Sequence, residues 1–424
     1  METGTSVQPA GRGRQVAPSQ ADERSNLPGE RYYSLDALRG AAMILGVWIH
    51  ASASYFTRPR GSWPFRDVQQ SDLLTYMYHA IHLFRMPLFF VMSGFFAALL
   101  YARRGSRGFV VQRTRRVLVP LLVAWLALVP LIRTGIVYLL SARSREPLAA
   151  VGNYIASGHI YVDNLYHLWF LYDLVILYAL VVIAVPLSRL AGPHLRGRLT
   201  GVFRRTLQSA WAPVVLGIPT MLVLETMPWG IIRSHASFVP DPRVLAAYGL
   251  FFGFGWLLYA NADLLSSLAR HPRRRLVFAA LLFPIFLAAY AERGVRGSLS
   301  HLLTSSTVAV MIWLCVFGLT GIAIRYFNRP LPTVRYLSDA SYWLYLAHYP
   351  LVIWIAGALS LVDMPGELKT LTSVVVTVTV LLGAYHYLVR PTLIGLWLNG
   401  RRVTTEGETQ GRPAGAGLAP HGRT

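Results

Sequence analysis

The chain has 424 residues, of which 54% are hydrophobic and only 14% charged, and its mean hydropathy is +0.44. A soluble domain of this length needs far more charge on its surface, so the composition excludes a water-soluble globular enzyme. The net charge of +21 sits mainly in short arginine-rich segments between apolar runs, which marks membrane topology and argues against a nucleic-acid partner.

Residues 1–30 are rich in Gly, Pro, Ser and Arg and lack an apolar core, so they read as a disordered cytoplasmic tail rather than a signal peptide. Apolar stretches then follow near 37–57, 78–101, 117–140, 166–190, 210–226, 243–262, 275–292, 301–325, 337–360 and 371–392. A hydrocarbon core about 30 Å thick needs about 20 apolar residues per helix. The runs are long, mostly apolar all round and without period-2 alternation, which predicts helices and excludes a β-barrel. The expected fold class is therefore an all-α integral membrane protein: a single polytopic bundle of about ten transmembrane helices over 31–398, followed by a second disordered tail at 399–424. Arginine-rich loops at 102–116, 189–209, 263–275 and 325–336 alternate with loops that carry more acids. The positive-inside rule puts the basic set, and both termini, in the cytoplasm. Cys315 is the sole cysteine, so no internal disulfide forms and no metal cluster is expected.

Ionisable groups inside spans are costly and mark candidate sites. The first span, "SLDALRGAAMILGVWIH", carries Arg39 and His50 eleven residues apart, which is about 16 Å along a helix and nearly the same face. Arg39 reads either as a snorkelling span-end cation or as a cavity cation. Ser34 and Asp36 fit an N-cap and a first-turn acid, and Asp36 is also a candidate catalytic residue with Arg39 and His50. His50, hydrogen-bonded to another helix or free to act, is the natural general base of this stripe.

The second span opens "YHAIHLFRMPLFFVMSGFF". Its His82 and Arg85 share a face, His79 suits interface anchoring, and Ser93 and Gly94 suit close helix packing. Arg113 and Arg116, an R-x-x-R pair at the mouth of the third span, fit phosphate groups or plain positive-inside charge. In "NLYHLWFLYDL", His167, Trp169 and Asp173 combine an imidazole, an aromatic plate and a carboxylate. Belt anchoring accounts for Trp169; Asp173 lies too deep for it, and the trio suits a carbohydrate. In "SDASYWLYLAHYPL", Ser341, Tyr345 and His348 fall close to one helix face.

Together these segments resemble the acyltransferase-3 family of membrane O-acyltransferases, and "SLDALRG", "IHLFRMPLFF" and "HLWFL" are most similar to its glucan-biosynthesis protein C branch. The likeness runs from about Tyr33 to Arg390. It implies acyl-CoA (succinyl-CoA or acetyl-CoA) as a cytosolic co-substrate, with no permanently bound cofactor, and an extracytoplasmic carbohydrate acceptor such as a periplasmic glucan. It makes His50 the match to the essential histidine, Arg39 its helix partner, and Arg113 and Arg116 the match to the coenzyme-contacting pair. His82, Arg85, His167, Trp169, Asp173, Tyr345 and His348 are left to hold the acceptor, with Arg85 or His348 as donors to an oxyanion. The stretch "GAYHYLVRP" departs from the branch, with His386 where an acid stands in its relatives. The implied location is the inner membrane. The rival class is a transporter or flippase for a glycan or lipid, against which stands the lack of internal repeats and of paired broken helices.

Overall fold

Away from water, every backbone N–H and C=O of a spanning segment needs an internal partner, and the apolar runs meet that constraint as helices. The computed structural model describes residues 32–57, 63–159, 161, 164–190, 192–292, 297–399, 402–403 and 409–410. Each of the ten predicted stretches is helical: α1 Tyr33–Ser52, α2 Asp72–Arg113, α3 Val119–Ser141, then after a short α4 (Pro147–Ala156) α5 Trp169–Ser188, α6 Pro193–Gln208, α7 Ala212–Glu225, α8 Pro242–Ala260, α9 Pro272–Glu292, α10 Leu299–Tyr326, α11 Pro332–Leu359, α12 Gly366–Ala384 and the short α13 Leu393–Asn399. The predicted tails 1–30 and 399–424 lie outside the described residues, apart from Asn399 and the paired two-residue strands Arg402–Val403 and Thr409–Gln410.

Among the described residues, seven helical stretches are long and apolar enough to cross a membrane, or up to eight if one bent pair is a single span. The difference from about ten has three local causes. α2, a π-helical turn at Thr114–Leu118 and α3 run on as one 70-residue stretch, counted once. At 1.5 Å per residue that is over three times the thickness of a hydrocarbon core, and it is interrupted by non-helical geometry at Gly105. α1, which carries Asp36 and Arg39, is not among the seven. α7 has 14 residues and qualifies only with α6, from which it bends by 118°. α6 occupies the predicted loop 189–209: Pro193 in its first turn suits a helix start, and the segment stays helical while carrying four arginines.

α10 is the enclosed element, with 72% of its apolar window buried against 22% for α9. On α9, Val277, Phe278, Leu281 and Ile285 are exposed, an apolar face suited to lipid. α2 and α8 pack at backbone distance: a methyl added to Gly94 would overlap the Phe252 carbonyl, and one added to Gly255 the Val91 carbonyl. Gly94 thus serves packing, as its sequence context predicts.

One buried ion pair ties the loop between α1 and α2 to α12. Nζ of Lys369, the only lysine of the chain, lies 2.9 and 3.1 Å from the carboxylate oxygens of Asp67. Both side chains are essentially inaccessible, at 1% and 0% exposure. Removing one member of such a pair costs about 3–5 kcal/mol, because the other charge stays buried. We therefore expect Lys369→Met to lower the melting temperature of the detergent-solubilised protein sharply, and the Asp67→Asn/Lys369→Met double variant to recover much of the loss. Equal melting temperatures for the wild type and Lys369→Met would refute the structural role.

Candidate active site

α1 and α11 run side by side in the same direction, and a polar knot sets their register. Arg39 Nη2 donates to Ser338 at both its carbonyl (3.0 Å) and its hydroxyl (2.6 Å). The Ser338 hydroxyl donates in turn to Asp36 Oδ1 at 3.0 Å, and Asp36 pairs with Arg39 at 3.2 Å. Farther along both helices, the His50 and His348 rings lie 5.2 Å apart between centroids. The contact at one end therefore fixes the contact at the other, about 15 Å away.

This helix pair forms part of the wall of a cavity of about 1200 Å³. One end is lined by Arg39, Gln112, Arg113, Arg116 and Asp339. Arg113 is half-buried, with its guanidinium 4.6 Å from the Tyr178 ring centroid. Arg116 Nη1 donates to the Leu398 carbonyl at 3.0 Å, so α13 covers this end, and the Arg116 carbonyl accepts from the Tyr342 hydroxyl at 2.9 Å. Arg115 lies between them and is exposed.

The middle of the cavity holds an imidazole cluster. His348 Nδ1 lies 3.0 Å from the Leu344 carbonyl and 2.8 Å from that of Tyr345. Carbonyls only accept, so Nδ1 carries the proton and the Nε2 of a neutral ring is a bare lone pair. That Nε2 is buried and has no protein partner. His167, 5.2 Å from His348 between centroids, shows the opposite tautomer: Nε2 donates to the Leu346 carbonyl at 2.9 Å, which leaves Nδ1 bare. The Tyr345 hydroxyl donates to the His167 carbonyl at 2.7 Å and fixes that loop to α11. His50 is also flanked by Tyr349 at 4.9 Å and stacked with Trp63 at 6.3 Å.

Arg85 is buried beside this cluster and makes no ion pair with a carboxylate among the described residues. A methyl on Gly46 would overlap Arg85 Nη1. Gly46 precedes His50 by one helical turn, so the guanidinium rests on the face that carries the imidazole.

An arginine-lined entry leading to a set of tautomer-fixed histidines suits group transfer. A family model described as an acyltransferase domain, that of the acyltransferase-3 family, matches residues 32–389. The chain belongs to the acyltransferase-3 family. It is similar to the glucans biosynthesis proteins C of Salmonella paratyphi A (strain ATCC 9150 / SARB42), Salmonella agona (strain SL483) and Salmonella enteritidis PT4 (strain P125109), each 26% identical over 351 residues that cover 78% of this chain and 85% of the relative. No solved structure matches. The protein is thus a multi-pass membrane O-acyltransferase.

The acyltransferase brings ten of its twelve sequence-predicted site residues to one cavity wall: Arg39 and His50 from α1, His82 and Arg85 from α2, and Arg113 and Arg116 at the π-helical turn. His167 and Trp169 come from the start of α5, and Tyr345 and His348 from α11. The two carboxylates are off the wall. Asp36 is buried against Ser338 and Arg39, so it positions rather than contacts. Asp173, predicted to hold acceptor, is fully buried with His235 Nε2 at 3.6 Å. Burial holds the His235 imidazole below its usual range, so at neutral pH this contact is not an ion pair. His386 is exposed and off the wall.

Trp63, Tyr349 and Gly46 are site residues that the sequence reading misses. Trp63 and Tyr349 reach His50 only through tertiary contact, and Gly46 matters only because Arg85 crosses it. A misplacement of about 1 Å near reacting atoms can cost about 10²-fold in rate. Gly46→Ala is expected to lower kcat by that order while changing the melting temperature little. A normal kcat in the folded variant would remove Arg85 from the site.

Proposed function

We propose that this acyltransferase moves a short acyl group, succinyl or acetyl, from cytosolic acyl-CoA to a hydroxyl of an extracytoplasmic glycan, with His50 as general base. The observation that carries the reading is the single cavity that joins the Arg39, Arg113 and Arg116 end to the histidine cluster. Ten crossings with both termini in the cytoplasm, in the inner membrane, put that arginine end on the coenzyme side. The printed name of the relatives supports a glucan among the acceptors.

The coenzyme's phosphates fit the three guanidiniums, which are forked donors with no acceptor capacity. The distance from Arg39 to His50 lets the pantetheine arm carry the thioester carbonyl up to the imidazole. The His50 and His348 rings lie 5.2 Å apart between centroids without a hydrogen bond between them, so a turn of the His50 ring brings its N–H to His348 Nε2 in the reacting state. The bare His348 Nε2 then accepts the His50 N–H, which turns the other His50 nitrogen into the base. That nitrogen takes the acceptor's O–H proton as its oxygen bonds to the thioester carbon. The carbon–sulfur bond breaks next, and the thiolate takes the proton back from His50, leaving an ester and free coenzyme A. Arg85, beside His50 over Gly46, is the donor to the transient oxyanion. His348, weighed for that role from its position in the sequence, has only a lone pair to offer in its neutral tautomer.

Release of free coenzyme A by the purified protein in nanodiscs, with acetyl- or succinyl-CoA and a panel of glucans, tests the reading. His50→Ala is expected to lose at least 10²-fold in kcat, the lower part of what a positioned base supplies. Arg113→Ala/Arg116→Ala should raise the KM for donor with a smaller effect on kcat. His348→Gln should lower kcat and leave the donor KM near wild type. Thioester turnover by folded His50→Ala at the wild-type rate would overturn the assignment of the base.

A further inference from the structure

The end of the cavity away from Arg113 carries a second pair of arginines that the proposed chemistry does not use. Arg133, on α3, and Arg233, in the segment between α7 and α8, both line the wall. The two belong to one mouth: the Leu165 N–H donates to the Ala236 carbonyl at 2.5 Å, which joins the segment before α5 to the segment that carries Arg233. The Tyr166 side chain, next to Leu165, lies beside the Arg133 guanidinium, and Arg133 Nε donates to the Tyr154 hydroxyl at 2.9 Å. Arg233 lies 5.0 Å from the centroid of the Trp229 ring.

The aromatic partners are themselves held under strain. Tyr166 has φ 48° and Trp229 has φ 65°, two of the three non-glycine residues with positive φ among the described residues. A bulky residue in this region is a true outlier that only its surroundings can maintain, and such outliers cluster at ligand-binding sites. Here both outliers carry an aromatic ring to a cavity-lining guanidinium.

The electrostatics of the wall select the ligand. Six arginines line it, and Asp339, beside Ser338 at the opposite end, is its one acidic residue among the described residues. Neither Arg133 nor Arg233 pairs with a carboxylate among the described residues. A neutral sugar's hydroxyls donate as well as accept, and guanidiniums meet only their accepting side and carry a charge that such a sugar leaves unmatched. A carboxylate or phosphate monoester matches a guanidinium fork, and the Trp229, Tyr166 and Trp63 rings at the same wall suit sugar faces.

We propose that this mouth binds an acidic saccharide, a glycan bearing carboxylate or phosphate groups, through Arg133 and Arg233. The proposal rests on the acyl-transfer reading for its direction, since the mouth lies across the histidine cluster from the donor arginines. The Tyr166 ring beside Arg133 is 5.9 Å from that of Tyr349, which in turn lies 4.9 Å from His50 between centroids, so two aromatic side chains stand between Arg133 and the reacting centre. That places the anionic group on the acceptor rather than on a short acyl chain.

Binding is measured without donor, so that it stands apart from acyl transfer. The full-length protein in zwitterionic nanodiscs is titrated with a uronic-acid trisaccharide and with its neutral counterpart, followed by tryptophan fluorescence and repeated at high salt. The acidic sugar should bind at least tenfold tighter, and salt should shrink the difference. Arg133→Gln/Arg233→Gln should abolish the preference, while Arg133→Lys/Arg233→Lys, which keeps the charge, should retain part of it. Equal affinity for the two sugars, or a preference that survives in the Gln pair, would overturn the proposal. So would a Gln pair that raises the KM for succinyl-CoA, with acetyl-CoA unaffected, and keeps its preference for the acidic sugar. That result assigns the arginines to the acyl carboxylate.

Discussion

Among the arginines of the cavity wall, Arg39 takes its acceptors from Ser338 and its counter-charge from Asp36. That knot also determines the geometry beyond it. α1 and α11 lie in parallel, and His50 and His348 stand nearly as far along their helices as Arg39 and Ser338 stand at the start. A slip of one residue at the knot would turn each imidazole about 100° away from the other. The constraint is therefore a register, held by hydrogen bonds at one end and expressed as ring contacts at the other.

The helix positions were legible because apolar length is a strong local signal, and the line from Arg39 to His50 was legible because helix geometry is regular. Residues that meet only through folding were not. Trp63 comes from a loop, and the tautomers of His348 and His167 are set by carbonyls that no pattern marks. The depth and charge of Asp173 suggest a cavity-facing carboxylate, yet α5 turns it away from the wall towards His235. Arg133 meets the same criterion that singles out Arg85, an ionisable group inside an apolar run. The number of crossings was less legible than the helices themselves, because α1 is polar enough and α7 short enough to fall outside a hydropathy rule.

The cavity contrasts with the surface around it. Outward faces such as that of α9 are bare hydrocarbon, while the wall inside carries six arginines and a single acid among the described residues. Arginine suits this place because it stays charged when partly buried and engages planar anions with two donors at once. On the proposed reading, a thioester donor with its phosphates at one end meets an acceptor from the other at the imidazoles between. On that reading the two chemistries are separated along the membrane normal rather than in time.

Sealed proteoliposomes test that separation most directly. Acyl-CoA is enclosed in the lumen, a glycan acceptor is supplied only outside, and acylated glycan is measured in the outer medium. The account predicts His50-dependent acylation of the outer glycan by protein oriented with its arginine end facing the lumen. Acylation that occurs only when donor and acceptor share a compartment would contradict it.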